Sequence, residues 1–267
     1  MKKINSNLYK NNYGELISRS KLEISSDQDL YELAKKNFPL YGENWGWHAL
    51  SLIKRINISR LLFFNDIYKK ILNVHGSIIE FGVHFGTLMS LLTNFRGMYE
   101  PYNNSRKIFG FDTFSGLSKI EKNKDGHIPR ENDISAPKNY IDVLDKLLSI
   151  HTLNSPVPHI KKYELIKGDV CKTLGPFLNK NKQLLVSLAI FDMDIYRPTK
   201  FALKKILPRL TKGSVLVFDQ LSSKEYPGES IAVDEVIGFN NLELIRTPHQ
   251  SNSCYAIFKG LSRGGKN

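Results

Sequence analysis

Ile78-Ile79-Glu80-Phe81-Gly82-Val83-His84-Phe85-Gly86-Thr87 is the stretch on which the fold turns. Ile78 to Phe81 reads as the end of a buried strand. Two glycines bracket a tight turn, and Thr87-Leu88-Met89-Ser90-Leu91-Leu92 opens a helical apolar pattern. Gly82 and Gly86 would let a ligand approach the backbone closely, and the start of the next helix offers free N–H groups. Glu80, a carboxylate at the strand end, suits an ammonium group better than a phosphate. The loop is therefore expected to take a cationic, amino-acid-like ligand.

A strand, a glycine turn and a helix begin a βαβ unit, and the second strand follows where it should. Lys107-Ile108-Phe109-Gly110-Phe111-Asp112 ends in an acid about thirty residues after Glu80. In nucleotide-binding sheets an acid at that tip accepts hydrogen bonds from ribose hydroxyls. Asp112 is a ribose candidate, with a cap on the turn before Thr113-Phe114 as the alternative.

Working outward, strands are expected at 78–82, 107–112, 162–167, 184–191, 214–218, 242–246 and 253–258. Helices are expected at 87–99, 139–151, 171–180, 198–210 and 230–238. Such alternation implies an α/β fold, with a parallel sheet covered by helices on both faces and an antiparallel hairpin at its edge. Upstream, residues 1–25 read as weakly ordered, a short helix spans 27–36 with Ser26 as its cap, and an aromatic loop covers 41–48. That loop would either cover a site or pack its tryptophans on the sheet edge. A longer helix runs from Ser51 to Val74 and ends at Gly76. Residues 115–138 read as a polar surface insertion. The expected organisation is an extension or lid at 1–75, a main domain at 76–260 and a tail at 261–267.

A chain of 267 residues with 41% hydrophobic content can bury a sizeable core. No apolar run approaches the roughly 18 residues needed to span a bilayer, and the start of the chain lacks a signal-peptide core. A cytoplasmic location is expected. Cys171 and Cys254 are expected to stay reduced there, and no Cys/His spacing suggests zinc. The net charge is +12, but the lysines are scattered without interleaved aromatics, which argues against nucleic acid. Attraction of an anionic small-molecule or glycan acceptor is the reading kept for the charge.

Ligands of open α/β sheets bind beyond the carboxyl ends of the strands. Those ends carry Glu80, Asp112, Gly168-Asp169, Asp192-Met193-Asp194 and Asp219-Gln220, a gathering of acids in a basic protein. Repulsion among them calls for a cation, a ligand ammonium or shared protons. Asp192, Asp219 and Gln220 offer the oxygen ligands that suit magnesium, while helix capping is the plainer role for each acid. Asp192 and Asp194 are the candidate catalytic bases. Tyr196 would meet a substrate hydroxyl, and Arg197 would hold a phosphate or balance Asp194. Glu229, after Pro227-Gly228, is a substrate-site candidate that would otherwise only bias its helix start.

Several of these motifs together resemble a known family. They are Glu80-Phe81-Gly82-Val83 with Gly86, Phe111-Asp112-Thr113-Phe114-Ser115-Gly116-Leu117, and Lys167-Gly168-Asp169-Val170. Next come Asp192-x-Asp194-x-Tyr196-x-Pro198-Thr199, Asp219, and Pro227-Gly228-Glu229 before Ala232-Val233. Over roughly residues 76–240 the chain is similar to the macrocin O-methyltransferases, S-adenosylmethionine-dependent enzymes that methylate sugar hydroxyls. The resemblance implies a Rossmann-like class I methyltransferase: a seven-stranded, mostly parallel sheet with an antiparallel last strand. It implies that Glu80, Gly82 and Gly86, with Val83, Phe85 and Thr87, hold the methionine part of the cofactor. Asp112, with Thr113 and Phe114, would bind the ribose. Gly168, Asp169 and Val170 would lie near the adenine, and Asp192 would border the cofactor. It further implies magnesium at Asp192 and Asp219, with Gln220 departing from the acid usual at that place.

The expected activity is methyl transfer to a hydroxyl of a nucleotide-sugar or glycan with Mg2+ assistance. Rival readings are methylation of a phenolic or other small-molecule hydroxyl, and a non-catalytic Rossmann-like binding protein. A nicotinamide enzyme is disfavoured because Gly-x-Gly-x-x-Gly is absent. The sequence is compatible with a homo-oligomer.

Overall fold

The computed structural model describes residues 8–11, 14, 16–250 and 252–260. The tail expected at 261–267 and part of the expected 1–75 extension lie outside the described residues. The chain divides into two compact units, one ending at Leu61 and the other beginning at Leu62.

In the first unit, β1 (Leu8–Lys10) and β2 (Leu16–Ser18) pair antiparallel. Helix α1 (Lys21–Asn37) starts well before the expected Ser26 cap. Its start is set by a capping box. The Glu23 N–H donates to Ser20 Oγ at 3.3 Å, and the Ser20 N–H donates to Glu23 Oε2 at 2.8 Å. The aromatic segment expected as a loop is helical instead, with 3-10 turns at Phe38–Asn44 and Ala49–Leu52 around α2 (Trp45–His48). Trp45 packs on Phe38 with ring centroids 5.4 Å apart.

Helix α3 (Arg55–Lys70) crosses into the second unit, where it buries Phe63, Phe64, Ile67 and Tyr68. The alternation then runs β3 (Ser77–Phe81), α4 (Thr87–Tyr99), β4 (Ile108–Asp112), α5 (Lys122–Asp125), α6 (Tyr140–Leu153), β5 (Tyr163–Lys167) and α7 (Val170–Lys180). It continues with β6 (Val186–Phe191), α8 (Tyr196–Ile206), β7 (Leu210–Phe218), α9 (Gly228–Val236), β8 (Ile245–Arg246) and β9 (Cys254–Ile257). The seven-stranded sheet has the order β5-β4-β3-β6-β7-β9-β8. Its first five strands are parallel, and β9 inserts antiparallel between β7 and the two-residue edge strand β8. The expected fold class is the one observed.

One ladder levels the top of this sheet. Phe111, Phe81, Phe191 and Phe218 are register partners on four adjacent strands. Their rings stand 5.4, 5.3 and 5.5 Å apart in that order. All four are buried in the core, and their contact continues below to Ile79, Ala189 and Leu216. In sequence each is followed at once by a strand-tip residue: Asp112, Gly82, Asp192 and Asp219. A period-2 strand that buries its last aromatic must turn the next residue to the opposite face or out of the sheet, so the ladder brings the four tips to one height.

The lower end is closed by buried cations. Arg106 pairs with Glu100 at 2.7 Å and donates to the carbonyls of Gly76, Ile71 and Val74. Tyr68 donates to the same Glu100 at 2.7 Å. One expectation needs correction at the top: the 115–138 segment is not only polar surface. It carries α5, whose Asp125 is fully buried.

Candidate active site

Backbone pairing continues one residue beyond the strands. The N–H groups of Gly168, Gly82, Asp192 and Asp219 donate to the carbonyls of Asp112, Phe111, Phe81 and Phe191 at 2.8, 2.9, 2.8 and 3.1 Å. The tips thus stand side by side in the order Gly168, Asp112, Gly82, Asp192, Asp219.

Asp112 holds the glycine loop. Its Oδ2 accepts the N–H groups of Val83 and His84, both at 2.7 Å, and its Oδ1 accepts that of Phe114 at 2.5 Å. His84 and Phe114 both have positive φ, at 49° and 55°. Such backbone is costly for non-glycine residues and persists where bonds of this kind fix it. The two glycines answer to the protein's own packing as well as to any ligand. Gly82 has φ 94°, and a Cβ there would run into the Asp192 carbonyl; one at Gly86 would run into Leu144. Glu80 is buried between Gly110 and Ile190 of the neighbouring strands. Val83 is buried, Phe85 meets the edge of Tyr140 at 4.9 Å, and Thr87 is exposed at the first turn of α4.

Asp169 caps α7, accepting the Cys171 N–H at 2.9 Å, and Val170 behind it is buried. Its other oxygen lies 3.5 Å from Arg197 and 3.7 Å from Lys119. Burial pushes this carboxyl up, but the Cys171 N–H, Arg197 and Lys119 together hold it below its ordinary value. Arg197, expected to hold a phosphate or balance Asp194, therefore balances Asp169.

At the β6 tip, Asp194 is buried and left-handed, with φ 60°, and the Ile195 N–H closes a tight turn on the Met193 carbonyl at 2.6 Å. Tyr196, expected to meet substrate, reaches Glu235 of α9. It is buried, its hydroxyl donates to Glu235 at 2.5 Å, and the ammonium groups of Lys124 and Lys200 lie 5.0 and 4.9 Å from its ring centre.

Glu229, the other substrate-site candidate, lies in the interior. It is completely buried, with Oε1 accepting the Gln220 N–H at 3.0 Å and Oε2 lacking a hydrogen-bond partner among the described residues. Burial, and then the charges of Asp219, Asp194 and Asp192, push its pKa well above the carboxylate range, against the lowering effect of the Gln220 N–H. Asp219 is tied on both sides: Oδ1 accepts from Ser253 Oγ at 2.8 Å, and Oδ2 lies 3.5 Å from Gln220 Nε2. Among the described residues no three His, Cys, Asp or Glu side chains gather closely enough to enclose a metal ion. The expected metal set brings two carboxylates and an amide. In donor chemistry it fits a hard ion.

Three residues that shape this site escape a reading of the sequence: Ser253 just before β9, and Lys119 and Asp125 in the 115–138 segment. None has a local signal; each reaches the tips only through the folding of distant chain. Asp125-Gly126 is visible in sequence, but only as a turn pair.

A family model described as macrocin O-methyltransferase (TylF) matches residues 17–248. Among solved structures, the calicheamicin methyltransferase CalS11 superposes with a TM-score of 0.86 at 34% identity, covering 91% of this chain and 95% of its own. A structure described as apo CalS11, a TDP-rhamnose 3'-O-methyltransferase of calicheamicin biosynthesis, gives 0.80 at 32% identity, with 91% and 96% covered. The O-methyltransferase NovP shares the fold, at 0.59 and 18% identity over 76% of this chain and 80% of its own. A search of curated protein sequences gives no match. The chain belongs to the macrocin O-methyltransferase family and is an O-methyltransferase, for which membership implies S-adenosylmethionine as methyl donor. Among the described residues no helix is long and apolar enough to cross a membrane.

Proposed function

We propose that this enzyme methylates a sugar hydroxyl of a nucleotide-sugar or glycan, with Mg2+ assistance and at a cytoplasmic site. The observation that carries the reading is the alignment of Asp192 and Asp219 on adjacent strand tips, beside the loop that Asp112 holds closed. The CalS11 relative described as a TDP-rhamnose 3'-O-methyltransferase supports a nucleotide-sugar acceptor. The net charge of +12 suits an anionic one.

Methyl transfer from a sulfonium is an in-line displacement, so alignment and exclusion of water dominate the barrier. When bound, S-adenosylmethionine supplies the methyl group and Mg2+ would lower the pKa of the acceptor hydroxyl. Glu80 and the loop from Gly82 to Thr87 are assigned to the methionine portion, Asp112, Thr113 and Phe114 to the ribose, and Gly168 to Val170 to the adenine. Asp192, Asp219 and Gln220 would hold the ion. Asp192 or Asp194 takes the hydroxyl proton as the oxygen attacks.

The test is transfer of labelled methyl to TDP-rhamnose and a panel of nucleotide-sugars, before and after chelation, with Mg2+ or Mn2+ restored. Turnover lost on chelation and regained with the ion is the expected result. Full turnover after exhaustive chelation removes the metal from the proposal. Methylation of phenols but of no sugar in the panel removes the acceptor.

A further inference from the structure

We infer that Asp125 is a positioning residue for the Asp192–Asp194 turn, holding from the 115–138 segment the backbone on which the candidate catalytic acids are mounted. This rests on the reading that the turn carries methyl transfer.

Asp125 ends a one-turn helix that packs on the tips, yet it is fully buried. Burying a carboxylate is costly unless its oxygens are bonded. Here both are: Oδ1 accepts the Tyr196 N–H at 2.6 Å and Oδ2 accepts the Glu121 N–H at 2.7 Å. The first bond matters most, because Tyr196 is where the β6 tip passes into α8. Immediately before it lie Asp194, held at φ 60°, and the Ile195-to-Met193 turn. Aspartate tolerates the left-handed region better than most residues, but at a cost that neighbouring bonds offset. Asp125 supplies one such bond, fixing the N–H that follows the strained turn.

A third element is shaped around the same carboxylate. A Cβ at Gly228 would run into Asp125 Oδ1 and into the Tyr196 nitrogen at 2.5 Å. Pro227-Gly228-Glu229 can therefore approach only because residue 228 lacks a side chain, and that approach brings the buried Glu229 to Gln220. Asp125 does not touch reacting atoms; it joins the insertion, the β6 tip and the start of α9 at one point.

Asp125→Asn keeps the shape but offers one oxygen for two N–H groups, and Asp125→Ala offers none. Lys122→Ala, on the exposed side of the same turn, is the control. Three quantities are read: calorimetric affinity for S-adenosylhomocysteine, deuterium exchange across residues 192–199, and steady-state turnover with the nucleotide-sugar that the wild-type protein methylates, beginning with TDP-rhamnose. For Asp125→Asn, kcat should fall about 10–100-fold, the effect of a small misplacement of reacting groups. Exchange at the Tyr196 amide should rise at least about tenfold in Asp125→Ala, where its acceptor is lost outright, and by less in Asp125→Asn. Affinity for S-adenosylhomocysteine should stay within about twofold, because Asp125 bonds to Tyr196 and Glu121 and to no residue of the glycine loop. Lys122→Ala should match wild type throughout.

A lower Tm with unchanged kcat and no local rise in exchange would make Asp125 merely structural and overturn the inference. If the Ala variant does not fold, the Asn variant and Gly228→Ala, which displaces the carboxylate from the other side, carry the test. Asp192→Asn separates the two levels. If that variant is inactive while Asp125→Asn is fully active, the positioning role alone is wrong. If Asp192→Asn is fully active, the reading of the turn is wrong.

Discussion

The hydroxyl of Ser253 donates to Oδ1 of Asp219 at 2.8 Å, so the residue just before β9 orients an acid at the tip of β7. Ser253 is itself buried. Because β9 runs antiparallel against β7, pairing Phe218 with Cys254, it delivers Ser253 to the level of the tips.

Ser253→Ala removes a hydrogen bond to a charged group and should cost about 1.5–3 kcal/mol. Urea unfolding measures this, and turnover should fall with it as Asp219 loses its orientation. Ser253→Thr, which keeps the hydroxyl, should recover most of both. An alanine variant equal to wild type would mean that Asp219 is oriented by something else.

Asp112→Ala strips the acceptor from three N–H groups of the glycine loop and the turn after β4. Calorimetry with S-adenosylhomocysteine should show a loss of about 1.5–3 kcal/mol, roughly 10–100-fold in Kd. NAD should give no binding heat with either protein. A variant that binds S-adenosylhomocysteine normally would make Asp112 a turn-former with no part in cofactor affinity.

Gly82→Ala meets both a φ of 94° and the Asp192 carbonyl. Backbone strain and overpacking together should cost at least about 3 kcal/mol. Gly46→Ala is the counterpart: it lies within α2 and a Cβ there meets nothing within 4 Å. That change should stabilise by about 0.5–1 kcal/mol, since alanine loses less backbone freedom in a helix. Denaturation midpoints of the two variants should move in opposite directions.

Acid should expose the role of Asp169. Its pKa is lowered in the fold, so in the unfolded chain it takes up protons first as pH falls. Its stabilising contribution is complete above the ordinary value of 3.8 and fades as pH drops through the lower folded value. Asp169→Asn should therefore be less stable than wild type near neutral pH, and the gap should close below pH 3.8. A gap of constant size from neutral to strongly acid pH would show that the lost stability is not electrostatic.

By itself the sequence determined the architecture and the residues at the sheet's upper edge. The reason is local: strands buried on both faces need continuous apolar runs, and their ends need turns. Phe81-Gly82, Phe111-Asp112, Phe191-Asp192 and Phe218-Asp219 each state in two residues where a strand stops and what stands at its tip. Helix starts were also written locally, though the Ser20-x-x-Glu23 box had to be read in place of the nearer Ser26.

Only the tertiary structure decided how those tips are partnered. Arg197 goes to Asp169, Tyr196 to Glu235, Glu229 beneath Gln220, and Asp125 and Ser253 into a site far from them in sequence. Periodicity says which face a residue occupies but not which distant segment packs against it. That follows from strand order, here from β9 slipping between β7 and β8, and from the close approach that a missing side chain at Gly228 permits. Charges and hydrogen bonds act over a few ångströms, so their pairing exists only once the fold has set those distances.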